Sequence, residues 1–142
     1  MDQLTMQITN EFKTRKIDFI KIESVKEYYP SYHIQIKIET ENIRTSFNNY
    51  IWLSEADIDK FLAELETLDK NRTGQAILQS MSPEEMELIF QTIDNLGHLS
   101  VACYYKKEDT IARDYSYEIK VEFQIDPTTL INVRNEVLAL IK

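Results

Sequence analysis

Tyr32, Ile34, Ile36 and Ile38 alternate with His33, Gln35, Lys37 and Glu39. A period of two predicts a strand with one face in the core and the other in water. The same period predicts a strand over 17–22, where Ile17 and Phe19 are followed by Ile20 and Ile22 and the apolar face can change between Phe19 and Ile20. In 47–53, Phe47, Ile51 and Leu53 share one side while Tyr50 and Trp52 occupy the other, so this strand ends apolar on both faces. The period then lengthens. Ile58, Phe61, Leu62, Leu65 and Leu68 form the single stripe of a helix. Ser54 is placed to cap it, and Glu55 and Asp57 complement the positive end of its dipole. The helix is expected to end near Asp69, ahead of Lys70–Gly74.

A short strand is expected over Gln75–Ser80. The next segment carries two conflicting signals. Ser82-Pro83-Glu84-Glu85 has the cap, proline and acidic first turn of a helix, whereas Met86, Leu88 and Phe90 alternate with Glu87 and Gln91. We favour a turn at 82–85, then a strand, then a hairpin at Asp94-Asn95-Leu96-Gly97 leading into Leu99, Val101, Cys103 and Tyr105. Tyr115, Tyr117, Ile119, Val121, Phe123 and Ile125 make the longest strict alternation, with Ser116, Glu118, Lys120, Glu122 and Gln124 on a wet face. Asp126-Pro127 starts a last helix with a core stripe of Leu130, Val133, Val137 and Ile141. Short connections between successive strands imply antiparallel pairing. The expected fold is α+β: a curled antiparallel sheet of about six to eight strands with two helices packed on it, or alternatively a β-sandwich with helical additions. The three prolines are scattered and there is no Ser/Gly-rich or repeated segment, so residues 1–142 are expected to form one domain.

Composition narrows the chemistry. Two glycines, Gly74 and Gly97, cannot build a glycine-rich phosphate cradle. One cysteine, Cys103, excludes an internal disulfide and a multi-thiolate zinc site. The two histidines, His33 and His98, leave few nucleophile–base pairs, and no G-x-S-x-G or H-E-x-x-H motif occurs. No catalytic residue, metal site or cofactor is therefore expected. His98 is read as part of the hairpin turn and Cys103 as a buried thiol. The start of the chain lacks the basic and apolar regions of a signal peptide, and no apolar run is long enough to span a bilayer. The expected location is the cytoplasm, with no membrane partner.

Charge carries more information. The formal net charge is −8 and the pI is about 4.8, which disfavours direct nucleic-acid binding and suits a basic protein partner. Nearly all of that excess lies between residues 55 and 94, where ten acids face three bases. A concentrated negative field steers a basic partner. Tyr50 and Trp52, of the types that dominate interface hot spots, lie just ahead of it. Tyr50, Trp52, Glu55, Asp59 and Glu66 are the expected partner-binding residues.

Three stretches carry a family resemblance. Gly74-Gln75-Ala76 leading to Leu78-Gln79-Ser80-Met81-Ser82, then Asp94-Asn95-Leu96-Gly97-His98, then Phe123-Gln124-Ile125-Asp126-Pro127-Thr128-Thr129-Leu130, together resemble the WapI-type immunity protein family of bacterial polymorphic-toxin systems. The resemblance covers roughly residues 52–141, with Asp18-Phe19-Ile20 agreeing upstream. It implies a cytoplasmic protein that neutralises a cognate toxin domain, commonly a nuclease, by stoichiometric binding that blocks its active site. The matching positions are architectural: Gly97 for the hairpin, Asp126 and Pro127 for the helix start. Two other functions remain open on the residues alone. A small-molecule sensor would show a closed pocket containing several tyrosines, and a hydrolase would show two opposed carboxylates in a cleft. The oligomeric state is left open.

Overall fold

The computed structural model describes residues 4–41, 43–108 and 116–141, with the backbone alone over 43–47. Eight antiparallel strands and two helices make an α+β fold. The strands divide into two sheets of four, each in sequence order. The first contains β1 (Thr5–Thr9), β2 (Lys16–Val25), β3 (Ser31–Thr40) and β4 (Ile43–Ser54). The second contains β5 (Gln75–Gln79), β6 (Met86–Thr92), β7 (Leu99–Glu108) and β8 (Ser116–Ile125). Helix α1 (Glu55–Asn71) connects the sheets, and α2 (Thr128–Leu140) follows β8.

Alternation explains why each sheet has one dry face. Ile17 pairs with Ile38 and Phe19 with Ile36 in the first sheet. In the second, Ala76, Phe90, Val101 and Phe123 form one cross-strand row and Leu78, Leu88, Cys103 and Val121 another. These rows join Ile58, Phe61, Leu65 and Leu68 of α1 and Leu130, Val133, Val137 and Leu140 of α2 in one buried cluster. The Phe61 ring lies 5.9 Å from that of Phe90. The wet face of β8 is as expected, with Glu118, Lys120, Glu122 and Gln124 all exposed. Phe47 and Tyr115, expected on inner faces, lie outside the residues whose side chains are described.

Local departures have physical causes. Phe19 and Ile20 simply alternate, and the irregularity in β2 comes later, where the register with β3 shifts between Lys21 and Glu23. That bulge leaves Ile22 41% exposed. The stripe of α2 ends on Leu140, and Ile141 is only partly buried. Pro127 stands at the cap position of α2 without a side-chain bond. The Asp126 carboxylate supplies it instead, accepting the Thr128 N–H at 2.9 Å and the Thr128 hydroxyl at 2.8 Å.

The turn at 82–85 is settled by Ser80. A helix starting at Ser82 would bond the Met86 N–H to the Ser82 carbonyl. The buried Ser80 hydroxyl occupies both groups, accepting from the Met86 N–H at 3.0 Å and donating to the Ser82 carbonyl at 2.8 Å. Glu84, in the left-handed region at φ 66°, completes the turn.

Three sheet edges are covered by contacts from elsewhere in the chain. Glu136 of α2 accepts the Gln7 N–H of β1 at 3.1 Å. The Met81 N–H donates to the Trp52 carbonyl of β4 at 2.8 Å. Glu64 of α1 accepts the Ile77 N–H of β5 at 3.1 Å.

Candidate partner-binding surface

The outer face of the first sheet carries an aromatic row. His33 and Trp52 are opposite in the β3–β4 register, and their rings stack with centroids 4.6 Å apart and 9° between planes. Tyr50, two residues earlier on β4, approaches His33 at 5.5 Å. Glu23 stands 3.6 Å from His33 Nδ1. Tyr50 is 50% exposed and Trp52 half-buried, while Ile51 and Leu53 turn to the core. Strand alternation thus displays large rings with polar tips on a rigid sheet, the arrangement that gives area without much loss of side-chain freedom.

The acidic helix begins directly beyond this row. Ser54 holds extended backbone and its hydroxyl accepts the Asp57 N–H at 3.1 Å. The Glu55 N–H donates to the Pro30 carbonyl at 3.0 Å, which pins the helix start to the β2–β3 turn. That turn adds residues missed from the sequence. Tyr28 is fully exposed with a left-handed backbone at φ 61°, and Tyr29 beside it is largely exposed. A bulky residue held in this conformation is strained. Neither tyrosine belongs to a period, so the only available signal was an aromatic pair ahead of Pro30.

The acids of α1 divide by role. Asp57 receives the Ser54 hydroxyl and Asp69 pairs with Arg72 at 3.1 Å, while Glu64 covers the β5 edge. Glu55, Asp59 and Glu66 fall within about 40° of one another around the helix. Glu66 nevertheless lies roughly 16 Å along the axis from Glu55 and faces Arg134 of α2 at 3.9 Å, both exposed, a pairing of small energetic weight. Glu55 and Asp59 have no basic side chain within ion-pair distance among the described residues. The Met81–Trp52 hydrogen bond sets the acidic β5–β6 turn on the other flank of the row. The chain thus runs from Tyr50 and Trp52 on β4 into Glu55 and Asp59 at the start of α1, while Glu66 lies about three turns beyond Glu55.

His98 lies in a turn and Cys103 in the core. In the β6–β7 turn the Asp94 carboxylate accepts the Leu96 and His98 N–H groups at 2.8 and 3.2 Å and contacts the His98 ring. The His98 bond, foremost, holds Asp94 below the usual carboxylate range. Gly97 supplies the positive φ of 84° that this turn needs. Cys103 is fully buried, and desolvation pushes its thiol up to about 12. The enclosed apolar space against Tyr32, Met6 and Phe19 measures about 20 Å³, too little for a metabolite. An open cleft of about 560 Å³ runs between the β1–β2 loop and the β8–α2 junction, lined by Phe12, the Arg15–Glu41 ion pair, His98 and Asp126; tyrosine is absent from that lining. Among the described residues no group of three His, Cys, Asp or Glu side chains could hold a metal ion, and no helix is long and apolar enough to cross a membrane.

Comparison with known proteins supplies the remaining observation. No curated protein and no solved structure matches the chain. A family model, that of the Immunity protein WapI-like family, matches residues 9–142. With nearly its whole length matched, the chain belongs to the Immunity protein WapI-like family.

Proposed function

We propose that this immunity protein binds a cognate toxin domain in the cytoplasm, one to one, and blocks its active site without bond-making chemistry of its own. The partner is a basic domain, and a nuclease fits best. A groove that attracts nucleic-acid phosphates also attracts carboxylates presented on a rigid scaffold. The observation that carries this reading is the Tyr50–His33–Trp52 row followed in the chain by the half-buried Glu55 and the exposed Asp59 of α1. Trp52 and Tyr50 supply apolar anchorage, Glu55 and Asp59 occupy phosphate positions, and Glu66 extends the field along the helix. Tyr28 and Tyr29 border the same helix start and enlarge the anchor.

Co-expression with the toxin domain tests the role, and binding tests the surface. Cells holding folded protein are expected to survive the toxin; unchanged killing refutes the role. Reversing Glu55, Asp59 and Glu66 to Lys should slow association and flatten its salt dependence. Trp52→Ala should weaken binding by roughly thirtyfold or more. Retained affinity in both variants moves the interface elsewhere and leaves the immunity role standing.

A further inference from the structure

The fourth sheet edge differs from the other three. Glu136 covers β1, Met81 covers β4 and Glu64 covers β5. Among the described residues, no comparable bond reaches the outer side of β8 between Glu118 and Ile125. β8 pairs with β7 without a register shift, and its proline comes only after its end. Among the described residues this edge has no bulge, internal proline or hydrogen-bonded cover, and such an edge presents alternate N–H and C=O groups to another strand.

The charges along this edge indicate which strand fits. In a continuous sheet, residues directly opposite share a face. The outer row of β8 reads Glu118, Lys120, Glu122, Gln124, all exposed. Lys120 is held on this face over the Tyr104 ring at 5.2 Å. An antiparallel pairing of two such strands centred on Lys120 sets Lys against Lys and Glu118 against Glu122. Centred on Val121, it sets Lys120 against Glu122 twice and Glu118 against Gln124 twice, while Ile119 meets Phe123 on the inner face. This register engages residues 118–124 of each copy. The alternative centred on Ile119 engages 116–122 and sets Lys120 against Glu118 twice, but it needs room at Tyr117, whose hydroxyl accepts from the Asn49 side chain of β4.

We propose that β8 pairs antiparallel with β8 of a second copy about a two-fold axis at Val121, joining two four-stranded sheets into one of eight strands. The result is an isologous interface of the closed kind, on a different strand from the aromatic row.

Sedimentation of the full chain across a concentration series tests this. The wild type is expected to form a dimer that dissociates on dilution. Lys120→Glu and Glu122→Lys each turn two attractive contacts repulsive and should raise the dimer Kd roughly tenfold. The double variant restores opposite charges and should return the Kd close to wild type, a rescue that a merely destabilised fold would not show. Circular dichroism checks that all three variants remain folded. A chain that stays monomeric at millimolar concentration, or a double variant as weak as the singles, overturns the proposal. So does protection of the β8 amides that appears only when a toxin domain is added, which would assign the edge to that partner.

Discussion

Ser80→Ala isolates the device that keeps residues 82–85 out of a helix. The substitution leaves volume and backbone almost unchanged and removes one hydroxyl that serves two groups. The Met86 N–H, on a buried residue, then has no acceptor. An orphaned buried donor costs about 1–3 kcal/mol, and the lost bond to the exposed Ser82 carbonyl adds on the order of 0.5–1 kcal/mol. Together these predict a loss of about 1.5–4 kcal/mol. At the typical unfolding entropy of a chain this long, that lowers Tm by about 5–13 °C. Urea denaturation followed by circular dichroism measures the loss as a lower midpoint with unchanged slope. Ser82→Ala is the control, since Ser82 is exposed and should change stability by no more than about 0.5 kcal/mol. A Ser80→Ala midpoint matching the control would refute the argument that this hydroxyl decides the turn. A gain in helical signal without loss of stability would refute it equally, by showing that the helix signature of Ser82-Pro83-Glu84-Glu85 competes on level terms.

Other outcomes follow from the same structure. Phe61→Ala empties the contact between α1 and the second sheet and should cost about 3–5 kcal/mol by urea melt; a cost below about 1 kcal/mol would mean that the Phe61–Phe90 contact does not hold the helix to the sheet. Cys103 should resist a thiol reagent in the folded state and react once urea unfolds the chain, because burial raises its thiol to about 12. Rapid labelling under native conditions would contradict its burial. Acid should destabilise the protein. Asp94, Asp126 and Glu41 have lowered values, chiefly through the His98, Thr128 and Arg15 hydrogen bonds respectively, so the native state binds these protons less readily than the unfolded chain does. Their contribution is complete above the ordinary carboxylate range and declines as pH falls through the lowered values. Desolvation raises Glu136, which opposes this trend, and Glu136→Gln should steepen the acid loss in a pH series of melts.

Legibility in the sequence tracked how local each cause is. The stripe of α1 and the alternation of β8 could be read because burial on one face imposes a period that few substitutions disturb. β1 was not read, because five residues with Met6 and Ile8 inside give too short a run to stand above chance. The turn at 82–85 gave contradictory signals because its arbiter, Ser80, lies outside the segment it controls. At the candidate surface, Tyr50 and Trp52 were visible from the two-sided apolar end of β4. The stack on His33 depends on β3–β4 register, which single-strand periodicity does not encode. Tyr28 and Tyr29 become relevant only through the Glu55–Pro30 hydrogen bond. The separation of Glu66 from the rest follows from helix rise, and its Arg134 neighbour from the docking of α2.

The Gln7–Glu136 bond joins residues 129 positions apart, and this distance has a temporal meaning. A ribosome adding about 5–20 residues per second needs roughly 6–25 s to pass from β1 to α2. Throughout that interval the first meander can pair internally, since its hairpins are local, yet its leading strand has neither a closing helix nor an acceptor for Gln7. The nascent molecule therefore passes through a stage with an open edge and an uncovered apolar flank, and the final helix is the latch that ends it.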